Sequence, residues 1–208
     1  MTMREERIYL YPRWVRWWHL LNALFCLFLI FTGISMQFSN PQVPLIRFDL
    51  AVSIHNIFGI LLIISYLFFF TANLLTWNGK YYKIDFHGFY ERLMTQFRYY
   101  LRGLFKGEYP PFPITKAMKF NPLQQFTYVL TMYIMVPIIV VSGLGLLYPD
   151  AIPTKILGLS GLHLTDLFHI LTGFIISMFM CVHVYFCTIG KTSVSNFKSM
   201  ITGYHESH

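Results

Sequence analysis

Four stretches of this 208-residue chain hold no Asp, Glu, Lys or Arg: Trp17 to Ile46, Leu50 to Gly79, Phe120 to Pro149, and Leu167 to Gly190. Each exceeds the roughly 20 apolar residues that carry a helix through bilayer hydrocarbon. Backbone N–H and C=O groups find no water at that depth and must pair within their own segment, which selects helix. The pattern predicts an all-α integral membrane four-helix bundle, a single transmembrane domain over residues 1–208. Its spans run from about Arg13 to Phe38, Leu50 to Trp77, Pro122 to Leu147, and Leu164 to Ile189. Charged residues make up 12% of the chain, against roughly 25% in an average soluble domain, which excludes a soluble globule.

The basic residues set an expected orientation. Arg4, Arg7, Arg13 and Arg16 precede the first span. Lys80, Lys83, Arg92, Arg98, Arg102, Lys106, Lys116 and Lys119 lie between the second and third, and Lys191 and Lys198 follow the fourth. Only Arg47 and Lys155 fall on the other side, so the positive-inside rule places both termini and the long middle loop in the cytoplasm. The net charge of +7 is thereby read as topology, with no nucleic-acid partner. The first span is too long for a cleaved signal and lacks a small-x-small site after it, so it is expected to be retained.

Asn40-Pro41, Pro44, Pro149-Asp150 and Pro153 break the chain at the short outer loops, and Asn121-Pro122 opens the third helix as N-cap and first helical residue. In the cytoplasmic loop, Phe89, Leu93, Phe97, Leu101 and Leu104 recur at helical spacing, which predicts an amphipathic helix on the inner leaflet. Cys26, Cys181 and Cys187 all lie inside spans, which argues against a periplasmic disulfide. No Cys-x-x-Cys-His is present, which argues against covalently attached c-type haem.

Ionisable side chains inside a span are costly and usually functional. Four histidines are of this kind: His19, His55, His169 and His183. His169 and His183 are separated by fourteen residues, which returns the side chain to within roughly 40° of its direction and about 21 Å along the helix. With the expected topology, His19 and His183 lie at the inner level and His55 and His169 at the outer level. Two facing imidazoles can fill both axial positions of a haem iron, leaving electron transfer as its chemistry. Gly59 and Gly173 each follow a histidine by four residues, and Gly33 follows His19 by fourteen, so all three could let a flat macrocycle approach. Helix–helix packing is the competing explanation for these glycines. Arg16, three residues before His19, could pair with a haem propionate, though topology alone would also supply it. His163 lies about 120° from the ligand face and reads as interfacial. His87, His205 and His208 fall in aqueous segments.

These residues resemble the di-haem cytochrome b subunits of membrane-bound formate dehydrogenases, NiFe hydrogenases and thiosulfate reductases, which share a cytochrome b561-like four-helix bundle. The resemblance rests on Arg16-x-x-His19 with Thr32-Gly33, on His55-x-x-x-Gly59, on Ser142-Gly143, and on His169 with His183. It implies two b-type haems and a multi-pass protein of the bacterial inner membrane. Electrons would pass between the quinone pool, menaquinone or ubiquinone, and a periplasmic redox subunit. That partner would be a molybdopterin enzyme, a hydrogenase or a multihaem cytochrome c. Asn121-Pro122-Leu123-Gln124 is similar to the Asn-x-x-Gln pattern at the quinone site of formate dehydrogenase cytochromes, with Leu123 where those relatives carry glycine. The implied quinone residues are Asn121 and Gln124, and helix capping is the alternative role of Asn121. Two other functions fit the same plan. One is a stand-alone b561-like quinone oxidoreductase using a small soluble donor or acceptor; the other is a haem-free anchor subunit.

Overall fold

The computed structural model describes residues 7–40, 42, 45–190 and 192–206. Arg4, Pro41, Pro44, Lys191 and His208 lie outside the described residues. Four helical spans are present, as the charge-free stretches predict. They are α1 (Arg13–Gln37), α2 (Phe48–Leu75), a third span over Pro122–Leu147, and α6 (Gly161–Cys187). The short helices α3 (Phe89–Arg98) and α7 (Ser195–Thr202) lie outside the spans.

Two of the differences from the expected spans have clear physical reasons. Helix α2 begins at Phe48 and carries Asp49 in its first turn, where a carboxylate is favoured by the positive end of the helix dipole. A charge thus opens the helix instead of bounding it. The third span is interrupted: α4 (Pro122–Leu130) and α5 (Val136–Leu147) are joined by a π turn at Thr131–Met135. Pro137 follows two residues after it, and its missing N–H and bulky ring are accommodated by the wider turn.

The chain forms two compact units. One comprises residues 7–16, Ala72–Met132, and the described residues from Val184 onward. Here β1 (Arg7–Tyr9) pairs antiparallel with β4 (Tyr204–Glu206), so the two ends of the chain share one ribbon. Helix α7 stops at Gly203, whose φ of +89° is a conformation glycine adopts without strain. The Gly203 carbonyl accepts from the N–H groups of Leu10 and Tyr11, at 3.0 and 3.2 Å. The Arg16 guanidinium donates to the carbonyl of Ile201 in the last turn of α7. Helix α3 is the predicted amphipathic helix, extended by a π turn at Tyr99–Gly103 and a 3-10 turn at Leu104–Lys106. Part of its apolar face covers α4, with the rings of Phe89 and Phe126 5.8 Å apart.

Lys119, counted in the sequence as a loop charge, is buried in this unit at 2% exposure. Its ammonium donates to Asn78 Oδ1 at 3.1 Å and lies 4.7, 5.3 and 5.5 Å from the ring centroids of Tyr11, Tyr81 and Phe120. Asn78 Nδ2 in turn donates to Asn73 Oδ1 at 2.7 Å. A Cβ on Gly79 would fall 2.3 Å from the Asn73 carbonyl oxygen, so only glycine lets the chain fold back here. The aromatic faces favour the cation, while burial lowers the amine from 10.5 to about 8. Between those values the folded amine is discharged and the unfolded one still protonated, so the unfolded state binds more protons and stability rises with pH. Thermal melts of the wild type across pH 8 to 10.5 should show that rise, on the order of 3 kcal/mol at most. Lys119→Met should lack it; equal pH dependence in both proteins would contradict a buried, titrating amine.

The second unit comprises Trp17–Thr71 and Tyr133–His183, so all four spans contribute to it. Trp18 stacks on Phe69 at 4.2 Å and its Nε1 donates to the Ser65 carbonyl at 3.0 Å. Phe28 stacks on Phe58, also at 4.2 Å, which with the Trp18 pair ties α1 to α2 along their length. The buried polar side chains Thr32, Ser35, Ser142 and Thr172 face inward, while Phe31, Leu67, Val141 and Phe174 face outward. That inversion of the soluble pattern suits helices whose solvent is lipid. The loops at residues 38–47 and 148–160 are short, and the second carries a 3-10 turn at Pro149–Ala151 and the hairpin of β2 (Lys155–Ile156) and β3 (Leu159–Ser160).

Candidate metal centres

All four intramembrane histidines lie in the second unit, and the structure joins them in the two pairs expected from sequence. The rings of His19 and His183 are 6.0 Å apart between centroids and tilted by 55°; those of His55 and His169 are 6.1 Å apart and inclined by 71°. A direct N–H···N bond between imidazoles would bring the centroids to about 5.2 Å. A metal ion bound by both, at about 2.0 to 2.1 Å from each nitrogen, sets them about 6.3 Å apart. Both pairs fit the second spacing. No group of three or more His, Cys, Asp or Glu that could hold a bare ion occurs among the described residues. Two facing imidazoles suit a metal whose remaining donors come from a ring such as a porphyrin.

The His55–His169 pair has supporting residues that the sequence displays without disclosing their role. Thr32 Oγ1 is 2.9 Å from His55 Nδ1, and Ser142 Oγ is 3.0 Å from His169 Nδ1. Each hydroxyl immediately precedes a glycine that faces the same ring. A Cβ on Gly33 would lie 3.7 Å from His55 Cε1, and one on Gly143 would lie 3.0 Å from His169 Cε1. The repeated hydroxyl-glycine dipeptide was the signal in the sequence. Its assignment needed the rotation of α1 and α5 about their axes, which periodicity leaves open.

The other two candidate glycines differ. A Cβ on Gly59 would meet nothing within 4 Å, so that face of α2 is open to a bulky group. A Cβ on Gly173 would meet Ile139 Cδ1 at 3.5 Å, an ordinary helix–helix contact. Near His19, the Arg16 Nε is buried with no hydrogen-bond partner, a donor suited to a carboxylate such as a propionate. Phe179, one turn before His183, lies nearly parallel to its ring at 5.8 Å. His163 and His87 are exposed and join neither pair. Cys26, Cys181 and Cys187 are not disulfide-bonded.

Asn121 and Gln124 lie in the first unit and serve α4. Asn121 Oδ1 accepts from the Gln124 N–H at 2.9 Å, and Gln124 Oε1 accepts from the Asn121 N–H at 3.2 Å, a reciprocal capping box. Asn121 Nδ2 donates to the Tyr100 hydroxyl at 2.8 Å. Tyr100, whose pKa burial raises, lines an apolar cavity of about 330 Å³ with Phe97, Leu101, Leu123, Phe186 and Ile189. Tyr185 lines the same space, so two tyrosines border it, with Asn121 bonded to the first of them.

Residues 10–203 match the family described as prokaryotic cytochrome b561. The chain is 39% identical over 204 residues to "Putative cytochrome YdhU" of Escherichia coli (strain K12), an alignment covering 98% of this chain and 77% of that protein. No solved structure matches it. Paired imidazoles inside a four-span bundle have the chemistry this family name implies. The chain belongs to the prokaryotic cytochrome b561 family, as a multi-pass inner-membrane protein that carries electrons across the bilayer through haem b.

Proposed function

We propose that the chain is the cytochrome b subunit of a respiratory oxidoreductase complex, of the di-haem kind found with formate dehydrogenases, hydrogenases and thiosulfate reductases. It relays electrons between the membrane quinone pool and a periplasmic redox partner. The observation that carries this reading is the pair of imidazole couples, 6.0 and 6.1 Å between centroids, set fourteen residues apart along α6. His19 and His183 hold the inner haem iron, His55 and His169 the outer one, and both termini face the cytoplasm. Bound haem b supplies one-electron exchange between ferric and ferrous iron.

The remaining work falls to the protein. The four histidines, two to each site, would hold the irons and keep oxygen and substrate from them. Gly33 and Gly143 keep the outer rings in place, Gly59 leaves open space beside α2, and Arg16 offers its free Nε to an inner propionate. The quinone ring occupies the cavity beside Tyr100, whose hydroxyl is oriented by Asn121 through the capping box shared with Gln124. The loops at residues 38–47 and 148–160 have no room for a catalytic domain, so substrate chemistry belongs to the partner.

Purification of the full chain from its native membrane in mild detergent tests this reading. It should yield two haems b per chain by pyridine haemochrome, reoxidation of the reduced bands by a water-soluble quinone, and a periplasmic redox subunit in the same fraction. A colourless protein would leave only an anchor. A lone chain that exchanges electrons between quinone and a small soluble donor would make it a stand-alone oxidoreductase.

A further inference from the structure

The Thr32 and Ser142 hydroxyls each have one hydrogen, and the shortest contact of each oxygen is to a carbonyl of its own helix. Thr32 Oγ1 donates to the Phe28 carbonyl at 2.7 Å, with the Leu29 carbonyl at 3.2 Å. Ser142 Oγ donates to the Ile138 carbonyl at 2.8 Å, with the Ile139 carbonyl at 3.2 Å. With its proton so placed, each hydroxyl oxygen can only accept from the imidazole nitrogen beside it. His55 Nδ1 and His169 Nδ1 are therefore the protonated nitrogens. The Nε2 lone pair of each ring is left for a metal.

Resting on the ligand pairs assigned above, we infer that Thr32 and Ser142 are positioning residues for the outer haem: they lock its two axial histidines in the Nδ1–H tautomer and lower its midpoint potential. An imidazole that donates from its distal nitrogen is the more basic ligand at the other. Greater basicity stabilises ferric over ferrous iron, so the acceptor hydroxyls bias the outer haem towards oxidation. The arrangement is twofold: α1 supplies the acceptor for the histidine of α2, and α5 supplies it for that of α6. Both hydroxyls are buried, at 1% and 7% exposure, so water does not compete for the imidazole N–H.

The test is a spectroelectrochemical titration of the full chain carrying Thr32→Val, Ser142→Ala, or both. Valine keeps the shape of threonine, and Thr32→Ser and Ser142→Thr keep the hydroxyls while altering the shape. Both haems should be retained in all five proteins. The outer haem should become easier to reduce in Thr32→Val and in Ser142→Ala, with the two effects together shifting its ferric/ferrous equilibrium about tenfold, or about 59 mV for one electron. The hydroxyl-keeping variants should titrate like the wild type. Unchanged potentials with two haems bound would overturn the inference, as would a shift that Thr32→Ser or Ser142→Thr reproduces. Failure of the ligand assignment itself reads differently: His55→Ala and His169→Ala would then retain two haems.

Discussion

Replacing His183 by alanine is expected to leave one haem per chain instead of two and to abolish reoxidation of the reduced protein by quinone. Even an outer-shell partner of a metal-bound histidine is typically worth 10- to 100-fold in metal affinity, so removal of the ligand itself should exceed that. His183 pairs with His19 at 6.0 Å, whereas the His55–His169 pair is built from other residues throughout. The remaining haem should accordingly keep its absorption bands and midpoint potential. Pyridine haemochrome, redox titration and stopped-flow mixing with a quinone analogue read these three quantities. Two retained haems would remove His183 from the ligand set. One haem lost with quinone exchange intact would place the His19–His183 pair at the opposite face of the membrane from the one proposed.

The second large effect is expected at Gly143. A Cβ there would sit 3.0 Å from His169 Cε1 and 3.5 Å from its Nδ1, inside the spacing at which carbon atoms rest comfortably. Leucine adds further atoms along the same vector, and the ring must turn away from Ser142 and from His55. Gly143→Leu should cost at least 10- to 100-fold in affinity for the outer haem, read by titrating apoprotein with haem or by retention through purification. Gly33→Ala is the internal control, because its Cβ would meet His55 Cε1 at an ordinary 3.7 Å and both haems should stay. Two tightly held haems in Gly143→Leu would show that the His169 ring is free to move.

Charge and spacing made much of this structure legible. Helices that must satisfy their own backbone in lipid announce themselves by the absence of charged residues, and the histidine pairs followed from a same-face interval on α6 combined with chain direction. Legibility failed where a side chain's partner lies on another helix. Thr32 and Ser142 were visible beside Gly33 and Gly143, but hydroxyls that bond their own helix are common, and only their approach to Nδ1 distinguishes these two. Asn121 was compatible with a cap and with a ligand contact; the cap takes its Oδ1, and Tyr100 takes its Nδ2. Lys119 was counted with the loop charges because a charge count is blind to burial. Helix α7 and the β1–β4 ribbon are too short for periodicity to reveal, and pairing between distant ends of a chain leaves no local trace.

The hydroxyl, the glycine and the imidazole occur together twice, once in the hairpin of α1 and α2 and once in the hairpin of the third span and α6. Each hairpin is half of a clamp. In a bilayer, apolar helix faces gain little by exchanging lipid for one another, and only 6 to 17% of the residues in an apolar 18-residue stretch of each span are buried. A group gripped from both sides adds its binding free energy to the association of the two halves, as any ligand of the folded state does. Haem held between these pairs would do what an oily core does in a soluble bundle, serving as the adhesive as well as the wire.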